Sequence, residues 1–150
     1  MLKICKEKWN KNSGLLLDRI RKCSLDGLDY IELVKMSVDC ILNDCEDSYG
    51  KWDIDNITVI DNGDYQGTLL FVIPGRRYQP SECDYLITYA GYGSCSGCDA
   101  LLSIIEFERE MTDRTATDLL ALCKDLITNI VKPYNYGWRC DEQYTVEEMK

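Results

Sequence analysis

The sequence lacks histidine altogether. Without an imidazole, catalytic pairs of the Ser–His and Cys–His kinds are excluded, and so are metal sites with histidine ligands. Any general acid or base would have to be a carboxylate or a cysteine. This absence favours a protein that acts by binding over an enzyme, and we predict no cofactor and no metal ion.

A long apolar run is also missing. No stretch approaches the ~20 apolar residues of a membrane-spanning helix, and the charged N-terminus is not followed by the apolar core of a signal peptide. We therefore expect no membrane association and a cytoplasmic location. The nine cysteines fit that location as reduced thiols. Cys23, Cys40 and Cys123 lie at helix-face positions, which predicts that they are small buried apolar side chains.

Positive charge is scarce beyond the first 22 residues. Seven Lys or Arg against two acidic residues give residues 1–22 a charge of +5, and the total of −9 leaves −14 for the other 128 residues. Such a surface repels nucleic-acid phosphates and suits a basic protein partner. The candidate contact residues form an acidic cluster: Asp44, Glu46, Asp47, Asp53 and Asp55. The alternative is a solvated acidic edge that aids solubility and keeps an outer strand from pairing.

Helical periodicity marks both ends of the chain. Residues 3–23 predict two helical pieces interrupted at Ser13-Gly14, and apolar residues over 28–44 recur at helical spacing. After Asp99, a potential helix cap, the pattern predicts a helix over 100–111, a break at Thr112 to Thr117, and a further helix over 119–130 that ends before Pro133.

Three β-rich segments lie between these helices. Residues 56–60, 65–73 and 84–90 predict a meander, and its short connections require antiparallel pairing. Asn62-Gly63 predicts a tight hairpin turn with positive φ. The chain is therefore expected to be a single α+β domain whose helices cover one face of the sheet. Its parts are helical (1–44), sheet (52–90), helical (99–132), and an aromatic and acidic tail (133–150).

The turn between the third strand and the following helix concentrates the chemistry of the chain. It holds three glycines, two serines and a Cys-x-x-Cys pair: Gly91, Gly93, Ser94, Cys95, Ser96, Gly97, Cys98 and Asp99. Glycine-rich turns of this kind are often purely structural, with Gly91 and Gly93 allowing a tight exit from the strand and Gly97 a close approach of the helix.

Three chemical readings compete with the structural one. A thiol redox pair would use Cys95 as the nucleophile and Cys98 as the resolving thiol. An anion site, for a ligand such as a nucleotide, would use the free N–H groups of the turn, the two serine hydroxyls and the charges of Arg76 and Arg77. A zinc site would need Cys83, Cys123 or Cys140 to complete the two turn thiols.

The segment Gly91-Tyr-Gly-Ser-Cys-Ser-Gly-Cys-Asp-Ala-Leu101, preceded by Tyr65-Gln-Gly-Thr-Leu-Leu-Phe71, resembles small proteins encoded by bacteriophages, over about residues 52–105. The resemblance implies expression in a bacterial cytoplasm and a role against host machinery. It assigns no functional residue. Together with the acidic surface, it predicts an accessory or anti-defence protein that binds and inhibits a host protein, with the anion binder second and the thiol redox protein third.

Overall fold

The computed structural model describes residues 2–44 and 50–131, and the predicted tail 133–150 lies outside them. The elements in chain order are α1 (Leu2–Arg21), α2 (Tyr30–Ser37), β1 (Thr58–Asp61), β2 (Gly67–Pro74), β3 (Tyr85–Tyr92), α3 (Ala100–Ile105) and α4 (Asp113–Thr128). A π-helical turn (Val38–Leu42) continues α2, and 3-10 turns (Ile54–Asn56 and Glu82–Asp84) precede β1 and β3. The protein is α+β, as predicted.

The three strands form an antiparallel meander in the order β1-β2-β3, which confirms the predicted sheet. Asp61 pairs with Leu69 on one side of β2, and Gly67 pairs with Tyr92 on the other. The nearly continuous apolar sequence of β2 agrees with its central position, because its side chains on both faces are buried or half-buried, whereas those of β1 are exposed.

The β1–β2 connection is a hairpin, but the turn geometry predicted from Asn62-Gly63 is wrong. Within the described ranges, Gly27 is the one residue with a positive φ, at 74°. The hairpin is closed instead by Asn62, whose side-chain oxygen accepts the N–H of Thr68 at 2.7 Å. Gly63 allows the backbone of Gln66 to pack closely against it, since a Cβ at position 63 would lie 2.1 Å from the carbonyl oxygen of Gln66.

Helix α1 runs without interruption through Ser13 and Gly14, so the predicted break is wrong. A glycine inside a helix costs only about 1 kcal/mol relative to alanine. Leu16 and Ile20 lie one turn apart and are fully buried, and burial of such a side chain contributes roughly 1.5–3 kcal/mol. Packing of this face therefore outweighs the local preference for a break.

The helical stretch that follows covers residues 30–42, inside the predicted 28–44. It begins at Tyr30 because the Asp29 side chain accepts the N–H of Glu32 at 3.1 Å and so caps the first turn. Its buried face includes Leu33, Val34 and Ile41. The periodicity of the sequence was sufficient to place this element.

The C-terminal helices differ from prediction in their boundaries. Helix α3 ends at Ile105, and Thr112 caps α4 by accepting the N–H of Thr115 at 3.2 Å. The segment predicted as a break is thus the cap and first turn of α4. Its threonines were misread because β-branched polar residues disfavour helix interiors yet are preferred caps.

The helices cover one face of the sheet, where Phe71, Ile73, Leu86 and Thr88 are buried. The Thr88 hydroxyl donates to the Leu126 carbonyl and joins β3 to α4. The opposite face, here called the outer face, carries half-buried or exposed side chains: Thr58, Ile60, Leu70, Val72, Tyr85, Ile87 and Tyr89. None of the helices in the described ranges is both long and apolar enough to cross a bilayer.

Three of the cysteines were predicted to be small core residues. Cys40 and Cys123 are buried and Cys23 is half-buried, and all three are free thiols. Burial raises the pKa of the Cys123 thiol to about 12, so this thiol is neutral near pH 7. The structure therefore confirms the packing role for Cys40 and Cys123.

Candidate functional site

The Cys-x-x-Cys turn connects the end of β3 to the start of α3. Gly91 and Tyr92 belong to the strand, where they pair with Thr68 and Gly67. The connection itself is therefore Gly93 to Asp99, shorter than the turn predicted from the glycine spacing. Ser94, Cys95, Gly97 and Cys98 are exposed and Ser96 is half-exposed, so solvent reaches the thiols.

The two thiols of the turn lie side by side. The Cys95 Sγ and Cys98 Sγ atoms are 2.6 Å apart. The backbone holds them there, because the Cys98 N–H donates to the Cys95 carbonyl at 3.0 Å and the Cys95 N–H donates to the Cys98 sulfur at 3.3 Å. Both contacts close the same tight loop, which makes the pair a preformed vicinal dithiol.

The two thiols differ in acidity. The hydrogen bond from the Cys98 thiol lowers the pKa of Cys95 below its usual value, and the backbone N–H of Gly97 adds to the effect. The same hydrogen bond raises the pKa of Cys98. The direction of the two pKa shifts makes Cys95 the more acidic thiol and Cys98 the one that stays protonated.

Among the turn glycines, Gly93 is required by packing. A Cβ at Gly93 would lie 2.4 Å from the Cys98 sulfur and 2.9 Å from the Cys98 carbonyl oxygen. A Cβ at Gly97 would meet only the Cys95 sulfur, at 3.9 Å, and one at Gly91 would meet nothing within 4 Å. The close approach predicted for Gly97 therefore belongs to Gly93, which seats the Cys98 side chain.

Asp99 caps α3, as predicted, from a buried position. Its Oδ1 accepts the N–H groups of Leu101 and Leu102 at 3.0 and 3.1 Å, and its Oδ2 accepts the Gly93 N–H at 3.2 Å. The Gly93 N–H belongs to the turn predicted to hold an anion, and the Leu101 and Leu102 N–H groups belong to the first turn of α3. The chain's own carboxylate binds them, and its charge opposes a second anion at the same place.

Tyr30 completes this buried network and was missed in the sequence. Its hydroxyl donates to Asp99 Oδ1 at 2.8 Å and accepts the Leu101 N–H at 3.1 Å. Burial raises the pKa of Tyr30 to about 12, and the Asp99 carboxylate contributes to the rise. In the sequence, the only signal at Tyr30 is its position in an apolar helical pattern. Such a pattern predicts that the side chain packs in the core, and it does not predict a hydrogen bond to a residue 69 positions away.

Arg76 and Arg77 do not lie near the turn. The two arginines follow the end of β2, whereas the turn follows the end of β3. Antiparallel pairing puts these two strand ends at opposite ends of the sheet. Arg77 pairs with Asp84 at 3.2 Å and Arg76 lies 3.8 Å from Asp55. The sheet register thus separates the arginines from the glycine turn by the length of a strand.

Each described member of the acidic cluster makes its own local contact. Asp44 binds Lys11 and Asn12, each at 3.0 Å, and these contacts lower the pKa of its carboxyl. Asp53 caps the 3-10 turn by accepting the Asp55 N–H at 3.1 Å. Asp55 keeps 79% of its side-chain surface exposed. Glu46 and Asp47 lie outside the described residues.

The described part of the chain contains no group of three or more Cys, Asp or Glu side chains arranged to hold a metal ion. Of the predicted zinc ligands, Cys123 lies in the helical core and Cys140 lies outside the described residues.

No family model matches the chain, and searches of curated proteins and of solved structures find no match either. The function must therefore be argued from the geometry of the site.

Proposed function

We propose that this protein undergoes reversible thiol–disulfide exchange through Cys95 and Cys98. The observation that carries the proposal is the exposed pair of sulfurs 2.6 Å apart, with the pKa of Cys95 lowered and that of Cys98 raised. A single low-pKa nucleophile beside a protonated resolving thiol is the arrangement that exchange requires. This was the third hypothesis from the sequence, and the geometry favours it over the anion site.

The exchange has two steps. The Cys95 thiolate attacks one sulfur of a disulfide substrate, R–S–S–R′, forming a mixed disulfide with R–S and releasing R′–S⁻, which takes up a proton. Cys98 then loses its proton to solvent and attacks the Cys95 sulfur, which releases R–S⁻ and leaves a Cys95–Cys98 disulfide. The substrate disulfide gains two electrons and the protein dithiol loses them.

The resolving step separates the roles of the two thiols. We expect Cys98→Ser to accumulate a mixed disulfide with oxidised glutathione, because attack remains and resolution is lost. Cys95→Ser should react at least tenfold more slowly, because the remaining thiol has a raised pKa. Intact mass spectrometry after timed acid quenching measures both species, and Cys23→Ser serves as a control outside the site.

A second comparison tests the source of the reactivity. Serine at position 98 retains a hydroxyl donor for the Cys95 thiolate, whereas Cys98→Ala removes the donor. Alkylation of Cys95 by iodoacetamide near pH 7 should therefore be slower in Cys98→Ala than in Cys98→Ser. Equal reactivity of Cys95 and Cys98, or a pair that glutathione disulfide does not oxidise, would contradict the proposal.

We also propose that the protein binds a basic host protein, the role expected of a phage-type accessory protein. The net charge of −9 and the exposed apolar side chains of the outer face, Ile60 and Tyr89 among them, support it. Affinity capture from a bacterial lysate at increasing salt tests this function. A specific partner should be lost at high salt, and Asp55→Asn should weaken its capture. Capture that is independent of salt would contradict a charge-driven partner.

A further inference from the structure

Strand β1 has an open edge. One edge of β1 pairs with β2, and within residues 2–44 and 50–131 no strand pairs with the other. All four residues of β1 are exposed. Proteins protect such edges with lysine, proline, a bulge or a covering element. Asp61, at the end of β1, carries the one charge of the strand, whereas Thr58, Val59 and Ile60 are uncharged β-branched residues that favour pairing.

The open edge continues into an apolar surface. Ile60 pairs with Leu70, and Leu70 pairs with Tyr89, so these side chains form a row across the outer face. The solvent-exposed fractions of Ile60 and Tyr89 are 47% and 43%. An added strand beside β1 would extend this row and cover Ile60, which supplies apolar burial in addition to backbone hydrogen bonds.

A cavity of 280 Å³ lies where this face meets the start of β1. Thr58, Val72 and Tyr85 of the outer face line it, together with Asp53, Asn56 and Arg77. Asp53 and Tyr85 are lining residues of the kinds that attract a cationic side chain, and the Arg77 charge in the same lining is paired with Asp84 at 3.2 Å.

The charges around β1 select the occupant. Asp53 and Asp55 precede the strand, and Asp61 and Asp64 lie at its end and just after it, while residues 53–66 contain no Lys or Arg. The Arg76 guanidinium near Asp55 is an exposed contact at 3.8 Å, and such pairs are screened by solvent. A second copy pairing through its own β1 would bring two acidic segments together. A peptide with cationic flanks meets complementary charge.

We propose that the open edge of β1 binds an extended peptide with an alternating apolar centre and Lys or Arg at both ends, which adds to the sheet as a fourth strand. This inference rests on the second proposed function, the basic partner, and gives it a binding mode. It does not depend on Cys95 or Cys98.

A direct test uses the full-length protein and a fluorescein-labelled peptide, Lys-Lys-Val-Thr-Val-Thr-Val-Lys-Lys. Binding is measured by anisotropy at low salt, and amide hydrogen exchange locates the contact. We expect slower exchange of the β1 amides when the peptide is bound. A control peptide with proline in place of the two threonines keeps the charge but cannot pair as a strand, and it should bind at least tenfold more weakly.

Two variants locate the site on the protein. Ile60→Lys puts a charge on the apolar row and should reduce peptide affinity roughly tenfold. Leu15→Lys is the matched control, because Leu15 is an exposed apolar residue on α1, and it should bind as the unmodified protein does. Asp64→Asn should flatten the dependence of affinity on salt.

Several outcomes would overturn the inference. Equal binding of the proline peptide would show charge attraction without strand addition. Protection, in the free protein, of the β1 amides that point away from β2 would mean that residues of the same chain cover the edge, and protection of these amides that rises with protein concentration would mean a second copy. The Ile60→Lys variant is compared in the lysate capture as well. If it still captures a partner that is lost at high salt, the basic-partner function is supported and the β1 binding mode is refuted.

Discussion

At the level of single residues, the site depends on two buried contacts. Gly93 lies against Cys98, and Asp99 lies against the Tyr30 hydroxyl. The first seats the resolving thiol, and the second holds the end of β3 and the start of α3 to α2. The first contact lies within one turn, whereas the second joins residues 69 positions apart, and each gives a prediction.

Gly93→Ala should destabilise the protein while Gly97→Ala should not. The added Cβ at Gly93 would overlap Cys98, which costs about 1–3 kcal/mol of unfolding free energy. The Cβ at Gly97 has room, so its effect should stay within about 0.5 kcal/mol. Urea unfolding under reducing conditions measures both. An equal loss in the two variants would show that the turn is sensitive to any side chain.

Tyr30 should make stability depend on alkaline pH. Burial raises its pKa in the folded protein to about 12, while the unfolded value is about 10. The stabilisation is therefore fully present below pH 10 and is lost as the pH rises toward 12. Tyr30→Phe should flatten the fall in urea midpoint between pH 9 and 11, whereas Tyr65→Phe, at an exposed site, should not. Parallel profiles for the two variants would contradict this.

At the level of elements, the Asn43 side chain joins the N-terminal helices to the segment that leads into the sheet. Asn43, just after the π-helical turn, donates from Nδ2 to the Trp52 carbonyl at 3.0 Å and accepts the Trp52 N–H at 2.7 Å. Trp52 in turn pairs with Gly75 beside the end of β2. Asn43 thus ties the end of the first described range to the start of the second and positions the chain that leads into β1.

We expect Asn43→Ala to cost about 1–3 kcal/mol, because two backbone groups of a half-buried residue lose their partner. In a domain of this size the melting temperature should fall by roughly 2–8 °C. Asn56→Ala is the matched control, since the Asn56 amide makes an exposed bond to Asp53. Circular dichroism melts compare the variants, and similar shifts for both would refute the joining role of Asn43.

At the level of the whole molecule, one core connects the helices and the sheet. Leu16 of α1, Leu33 of α2, Leu119 of α4 and Phe71 of β2 belong to the same buried cluster. A shared core couples the unfolding of the elements that line it. The described helices and strands should therefore unfold as one cooperative unit.

Leu119→Ala tests this coupling. Leu119 is fully buried, so truncation should cost about 2–5 kcal/mol. Helix loss in the far ultraviolet and tryptophan fluorescence should shift together to lower denaturant. Leu15→Ala, at an exposed site on α1, should have little effect. Separation of the two signals into distinct transitions would show that the helices and the sheet are independently stable.

The sequence by itself was sufficient for the α+β class, the antiparallel meander, the caps at Asp99 and the packing of Cys40 and Cys123. These features follow from periodicity, short connections and the chemistry of individual side chains, which all act over a few residues. The same local reasoning predicted a break at Gly14, where packing of Leu16 outweighs the low helix propensity of glycine. It also placed the start of α4 too late, because Thr112 acts as the cap of this helix.

Only the tertiary structure decided which candidate residues meet. The antiparallel pairing of β2 with β3 placed Arg76 and Arg77 at one end of the sheet and the glycine turn at the other. Packing of α2 brought the Tyr30 hydroxyl to Asp99, whose other carboxylate oxygen accepts the N–H of Gly93. Contacts of this kind depend on angles and distances summed over whole elements, and residue spacing along the chain does not contain them.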